Sequence, residues 1–234
     1  EGDTDRMIRR AATRADRVLA PSQLVRTGVR ERGARAEDVT IVPESIDVDL
    51  VRSADVDNRA DLVYARRLDE HANVESFLLA LAELRDREWR AVVVGDGPER
   101  DVAVETAAEL RIDDRVSFLG ARPPEELVPI LKGAHVFAQT STVEPFAREL
   151  LWALACGCVG IVEYQAASSA HELVENCARG ARVTSPQELA SEVVAAARHD
   201  RLSINEGFAE YDRDAVLGTY ERIFEAERND YGYW

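Results

Sequence analysis

Glu144 lies in a polar turn between an apolar strand and a helix, and no other residue of the chain is better placed to act on a small ligand. Segment 139–157 reads QTSTVEPFARELLWALACG. Residues 134–138 are expected to form the strand, Glu144, Pro145 and Phe146 the turn, and residues 147–156 a helix closed by Gly157. A helix start offers unpaired N–H groups and a partial positive charge, which suits a phosphate, and a carboxylate just before it can accept hydrogen bonds from hydroxyls. Two adjacent arginines, Arg66 and Arg67, close another apolar run.

The elements that must hold these residues alternate regularly from Asp61 onward. DLVYA, AVVVG, RVSFLG, HVFAQ, VGIV and ARVT are short apolar strands, and amphipathic helices follow them over residues 74–85, 99–110, 125–132, 147–156, 169–175 and 187–198. Strands apolar on both sides, separated by helices, predict an α/β, Rossmann-like parallel sheet with helices on both faces. Gly95-Asp96-Gly97-Pro98 lacks the third glycine of a dinucleotide fingerprint and reads as a tight turn, with Pro98 opening the next helix. Before the domain, residues 1–16 and 21–32 are expected to be helical, residues 17–20 and 39–42 to be strands, and the rest up to residue 60 a connector. A last helix is expected over residues 214–227, followed by a loose tail, and the polar patch 199–206 reads as a loop.

These motifs, in this order, resemble retaining GT-B glycosyltransferases of family 4, in which a Glu-x7-Glu motif runs E-G/P-F-G-x-x-x-x-E-A. Here Glu144-Pro145-Phe146-Ala147 matches its start, and Trp152-Ala153 stands where the second glutamate and alanine stand. Tyr64-Ala65-Arg66-Arg67-Leu68 is similar to the family's G-R-L, with Arg66 replacing glycine, and Ala72 occupies the place of the family's lysine. The resemblance implies a nucleotide-sugar donor as co-substrate, without a separate cofactor or a metal. Glu144 would approach the sugar hydroxyls and Arg67 would neutralise the diphosphate as the bond to the anomeric carbon breaks. Pro145, Phe146, Ala147 and Arg148 would complete the donor site, Gly120 and Ala121 would meet the base, and Ser168 and Ser169 replace the two glycines of a G-G-x-P-E loop. The serines could touch a diphosphate or cap the following helix. Arg148 could supply the charge that Ala72 does not; Glu149 could stand in for the missing glutamate, or be a solvated first-turn carboxylate; Arg66 could assist Arg67, or be a surface arginine. Residues 1–60 would be the tail end of an N-terminal GT-B domain and the interdomain connector, residues 61–200 the donor-binding domain, and residues 201–234 a C-terminal helix and tail. Most of the N-terminal domain, which would hold the unknown acceptor, is then missing from the chain.

Composition narrows the partners. The net charge is −15, and Lys132 is the only lysine among the 29 lysines and arginines. No basic run or basic helix face stands out, which argues against nucleic acid. No stretch of 18 apolar residues and no apolar signal core is visible, so the expectation is a soluble, cytoplasmic chain without a transmembrane segment. Asp47–Asp49 and Asp55–Asp57 imitate a metal-binding DxD but sit in an aspartate-rich connector, and Cys156, Cys158 and Cys177 lack zinc or redox spacing and read as buried thiols.

A rival reading is a non-catalytic domain of the same fold that senses a nucleotide or assembles with a partner. Ala72, Trp152, Ser168 and Ser169 favour it, and Glu144 stands against it. The arginine-rich acidic composition resembles haloarchaeal proteins, whose charge is screened in concentrated salt. Thermal melting is accordingly expected to give a higher Tm in molar salt than in dilute buffer, and an equal or higher Tm in dilute buffer would refute the idea.

Overall fold

The computed structural model describes residues 2–230. The chain runs through α1 (Asp3–Ala12), β1 (Val18–Ala20), α2 (Gln23–Glu31), β2 (Val39–Ile41) and α3 (Val48–Ser53). It continues through β3 (Leu62–Ala65), α4 (Val74–Glu83), β4 (Ala91–Val94), α5 (Arg100–Glu109), β5 (Val116–Gly120) and α6 (Pro124–Gly133). Next come β6 (Val136–Gln139), β7 (Val143–Glu144), α7 (Arg148–Ala155), β8 (Val159–Glu163), β9 (Ala167–Ser168) and α8 (Ala170–Val174), and then β10 (Gly180–Val183), α9 (Pro186–Ala195) and α10 (Arg213–Asp230).

Six strands form one parallel sheet in the order β10-β8-β6-β3-β4-β5. Alternation along the strands divides the interior in two. Val63, Ala65, Val92 and Val94 face a core shared with α3, α6, α7 and α8, whereas Leu62, Tyr64, Ala91 and Val93 face one shared with α4, α5 and α9. Both faces are therefore covered, as a parallel sheet requires. The order reverses between β3 and β6, which lie side by side while their chains leave toward α4 on one face and α7 on the other. Such a switch opens a crevice at the carboxyl ends of the strands.

All six predicted strands and the helices that follow them are present. α1 occupies residues 3–12 of the predicted 1–16, α10 extends beyond residue 227, and residues 231–234 of the predicted tail lie outside the described residues. β1 and β2 pair in parallel over a small separate core of Ala12, Ala20, Ala34 and Val39. α10 returns toward this segment through an ion pair between Arg17 and Glu227 at 2.6 Å.

Two features depart from expectation. The connector contains α3, whose start is capped by Asp47 accepting from the Leu50 N–H at 2.8 Å. Within the first Asp-Val-Asp triplet Asp47 also pairs with Arg213, while Asp57 of the second pairs with Arg59. The polar patch 199–206 is irregular as expected, and a 3-10 turn, Glu206–Tyr211, starts at its end. Cys156 and Cys158 are buried, with burial pushing the Cys158 thiol up to about 12, but Cys177 is only half-buried. Among the described residues no helix is long and apolar enough to cross a membrane.

Lys132 is also buried. Its ammonium donates to the carbonyls of Val51, at 2.8 Å, and Ala54, joining α6 to the end of α3. Those carbonyls belong to a helix C-terminus, where a positive charge is favourable. Lys132→Met is expected to cost about 2 kcal/mol of unfolding free energy, measured by chemical denaturation, because charged hydrogen bonds are lost and carbonyls are left buried. Gly95 offers a second test, since its φ is +149° and a Cβ there would lie 1.8 Å from the Arg66 carbonyl oxygen. Gly95→Ala is expected to lower stability by about 3 kcal/mol, seen as a fall in Tm.

Candidate donor-binding site

The 95–97 turn brings the site together by close backbone packing. A Cβ at Gly97 would meet the Leu68 carbonyl oxygen at 2.3 Å, so the turn fits beneath residues 66–68 only as glycine. Hydrogen bonds fix the same contact: Arg66 N–H donates to Val94 at 2.9 Å, Leu68 N–H to Asp96 at 3.0 Å, and Gly95 N–H to Gly120 at 2.9 Å. The end of β3 is thereby clamped against the ends of β4 and β5. The glycine turn is structural, as its missing third glycine suggested, and it aims Arg66 and Arg67 into the crevice.

Arg67 is exposed there. It lines a cleft of about 460 Å³ together with Arg66, Gly97, Ala121, Arg122 and Glu149. Gly120, at the end of β5, is tied to Gly95 through its carbonyl, and Ala121 is exposed at the cleft wall.

Arg66 is not the surface arginine that an acidic chain suggested. Its side chain is only 13% exposed, and its Nε lies 3.0 Å from Glu144 Oε2, itself on a side chain 13% exposed. Nη1 donates to Asp69 Oδ1 at 3.1 Å and Nη2 to the Val143 carbonyl at 3.0 Å. Burial raises the Glu144 carboxyl above its ordinary range; Arg66 opposes this, and desolvation prevails. Glu149 lies on the first turn of α7 and is desolvated rather than solvated, with its carboxyl likewise raised by burial. Trp152, one turn further on, packs into the core under the sheet at 4% exposure. Ala72 is buried and its carbonyl accepts from the Tyr64 hydroxyl at 2.7 Å.

The Glu144 turn is held by a short parallel ladder that the sequence did not reveal. β7 pairs with β9, setting Glu144 opposite Ser168, and Ser169 N–H donates to the Glu144 carbonyl at 2.8 Å. Two-residue strands carry too little pattern to be found by alternation. Ser168 and Ser169 are buried, and their hydroxyls are committed locally. Ser169 Oγ donates to the Pro145 carbonyl at 2.8 Å, and Ser168 Oγ accepts from the Ala170 N–H at 3.4 Å, at the start of α8. Ser22 Oγ donates to the same Pro145 carbonyl at 2.7 Å, so the N-terminal segment reaches the turn beside Glu144. Ser22 was not foreseen, since a helix cap gives no sign of a distant second partner. Glu172 strengthens the link by accepting from the N–H groups of Gln23 and Leu24 at the start of α2.

Phe146 and Ala147 are buried, and Arg148 is exposed with its Nε 3.9 Å from Glu44 Oε2. Pro145 has no N–H, and that of Arg148 turns back to the Phe146 carbonyl at 3.1 Å. The amides of Phe146 and Ala147 make no hydrogen bond among the described residues of this turn. Phe146 and Ser169 line a second cavity, of about 580 Å³, bounded by Ser22, Tyr211 and Arg222. The structure thus collects Arg66, Arg67, Ala121 and Glu149 at one cleft and Phe146 and Ser169 at another, with the Arg66–Glu144 pair between the two groups of elements.

Known proteins resemble this chain in sequence and in fold. Residues 48–214 match the family described as glycosyl transferases group 1. The lipopolysaccharide 1,6-galactosyltransferase of Salmonella typhimurium is 26% identical over 219 residues, covering 91% of this chain and 59% of that protein. The D-inositol 3-phosphate glycosyltransferase of Nocardia farcinica is 32% identical over 163 residues, covering 61% of this chain and 36% of that protein. The chain therefore spans well under two thirds of the length of either relative. Among solved structures, Anabaena Alr3699/HepE in complex with UDP and glucose superposes with a TM-score of 0.79 at 24% identity, covering 96% of this chain and 66% of that one. Sucrose-phosphate synthase from Thermosynechococcus elongatus gives a TM-score of 0.80 at 21% identity, covering 97% and 63%. The fold is that of the GT-B glycosyltransferases, and with the family match extending across the crevice and its flanking helices, the chain belongs to the group 1 glycosyl transferases.

Proposed function

We propose that this chain is the donor-binding part of a family 4, retaining, metal-independent glycosyltransferase that moves a hexosyl group from a nucleotide-activated sugar to an acceptor. The single observation that carries the reading is the joining of Arg66, Arg67 and Glu144 at the carboxyl ends of parallel strands, beside the β3/β6 switch. As the sugar–phosphate bond breaks, negative charge gathers on the diphosphate and the anomeric carbon becomes cation-like. Arg67, exposed in the cleft, is suited to the first charge, a contribution of about 3 kcal/mol for one well-aimed donor. Glu144 is suited to accept hydrogen bonds from sugar hydroxyls, and the amides of Phe146 and Ala147 at the start of α7 to meet phosphate oxygens. Gly120 and Ala121 would meet the base, while Arg148 would stand at the rim of the site. Ser168 and Ser169 would act by shaping the loop beside Pro145, given where their hydroxyls point.

In this reading residues 1–60 complete an N-terminal domain whose remainder would hold the acceptor, residues 61–200 bind the donor, and residues 201–234 are the C-terminal part, of which α10 packs back. The reaction is assigned to the cytoplasm. One set of observations favours a second reading, a non-catalytic nucleotide-binding or assembly partner: Ala72 is buried, Trp152 belongs to the core, and Glu144 is already paired with Arg66.

Calorimetric titration of the folded chain in molar salt with nucleoside diphosphates and nucleotide sugars separates the two. Saturable binding is expected, with Arg67→Ala weakening it about tenfold or more. Glu144→Ala is expected to remove the advantage of a nucleotide sugar over its own diphosphate. Absence of heat with every ligand would transfer the assignment to a non-catalytic assembly partner.

A further inference from the structure

Arg66 belongs to two places at once. Its side chain lines the cleft with Arg67 and Arg122, and it is also the counter-ion of Glu144. Each guanidinium nitrogen is occupied, by Glu144, Asp69 and the Val143 carbonyl. Glu144 Oε2 is in turn crowded by donors, with Gln139 Nε2 at 3.4 Å and Ser141 Oγ at 3.5 Å in addition to Arg66. In this arrangement that oxygen has little capacity left for a ligand hydroxyl. The Arg66 backbone cannot yield, because Gly95 packs directly against it. The long side chain is the part free to turn, and its planar fork fits phosphate as well as carboxylate.

Resting on the donor-site reading above, we infer that Arg66 is a positioning residue that couples diphosphate binding to the release of Glu144. A diphosphate in the cleft competes with Glu144 for the guanidinium; when Arg66 turns to the phosphates, Glu144 Oε2 becomes free to accept from the sugar hydroxyls. In the empty site the pair keeps a half-buried carboxylate compensated. Glu144 Oε1 has no hydrogen-bond partner among the described residues, so the arrival of the diphosphate completes the carboxylate for a second hydroxyl contact. Thermodynamic linkage requires the converse: weakening the hold of Glu144 on Arg66 must strengthen diphosphate binding.

The test is a double-mutant cycle on the whole chain, titrating UDP, GDP, ADP and inorganic pyrophosphate into the parent, Glu144→Gln, Arg66→Gln and the double variant. Thermal melts establish that each is folded, and Arg66→Lys, which keeps the charge without the fork, replaces Arg66→Gln if the latter does not fold. Glu144→Gln is expected to tighten pyrophosphate and the best-bound nucleoside diphosphate about threefold or more with Arg66 present, and to lose that gain when Arg66 is replaced. An equal gain in both backgrounds would mean simple removal of a negative charge and would overturn the coupling, as would unchanged or weaker binding by Glu144→Gln. Absence of binding by both parent and Glu144→Gln would overturn the coupling and the donor-site reading together.

Discussion

β3 and β6 lie side by side in the middle of the sheet and send their chains to opposite faces, and every candidate site residue depends on that divergence. Parallel pairing places all six strand ends on one rim, and the reversal of strand order opens the rim at one place. Arg66 and Arg67 follow β3, and Glu144 follows β6 after a turn. The 95–97 turn prevents the first group from drifting, because its glycines allow two stretches of backbone to touch. The β7–β9 ladder does the same for the second. Both devices act through backbone contacts, so the precision of the site derives from backbone geometry.

The charges follow a different logic. An acidic surface can be screened by salt, but the group of Arg66, Asp69, Glu144 and Glu149 is withdrawn from solvent and must balance internally. Burial raises both glutamate carboxyls despite the nearby arginine, which shows how much solvation these residues have surrendered. Compensation from Arg66 makes such burial tolerable. The same arginine fills space beside Glu144 that a smaller residue would leave open.

The sheet and its helices were legible because their signals are long and repeated: near-continuous apolar strands, amphipathic helices, and glycine or proline at the boundaries. Glu144 and Arg67 were legible as motif residues, by type and by order along the chain. What escaped was local and non-repeating. Arg66 read as a surface arginine because sequence carries no distance to Glu144, and Glu149 read as solvated because its burial depends on how β4, β5 and α6 enclose the cleft. α3 was hidden in a connector whose Asp47 resembled half of a metal motif until its N–H partner was seen. The two serines illustrate the same limit, since a hydroxyl in a loop is equally suited to a phosphate, a helix amide or a carbonyl, and folding here directs it to the last two.

The burial of Lys132 has a chemical corollary. Every other basic side chain apart from histidine is a guanidinium, so the one primary amine carried by a side chain is sealed between α6 and α3, where it holds two carbonyls. Acylating reagents and amine-directed crosslinkers find no lysine on the folded surface. Acylation at this position therefore requires the α3–α6 seam to part, and the rate at which that single amine is modified becomes a clock for how often the connector lifts away from the domain it leads into.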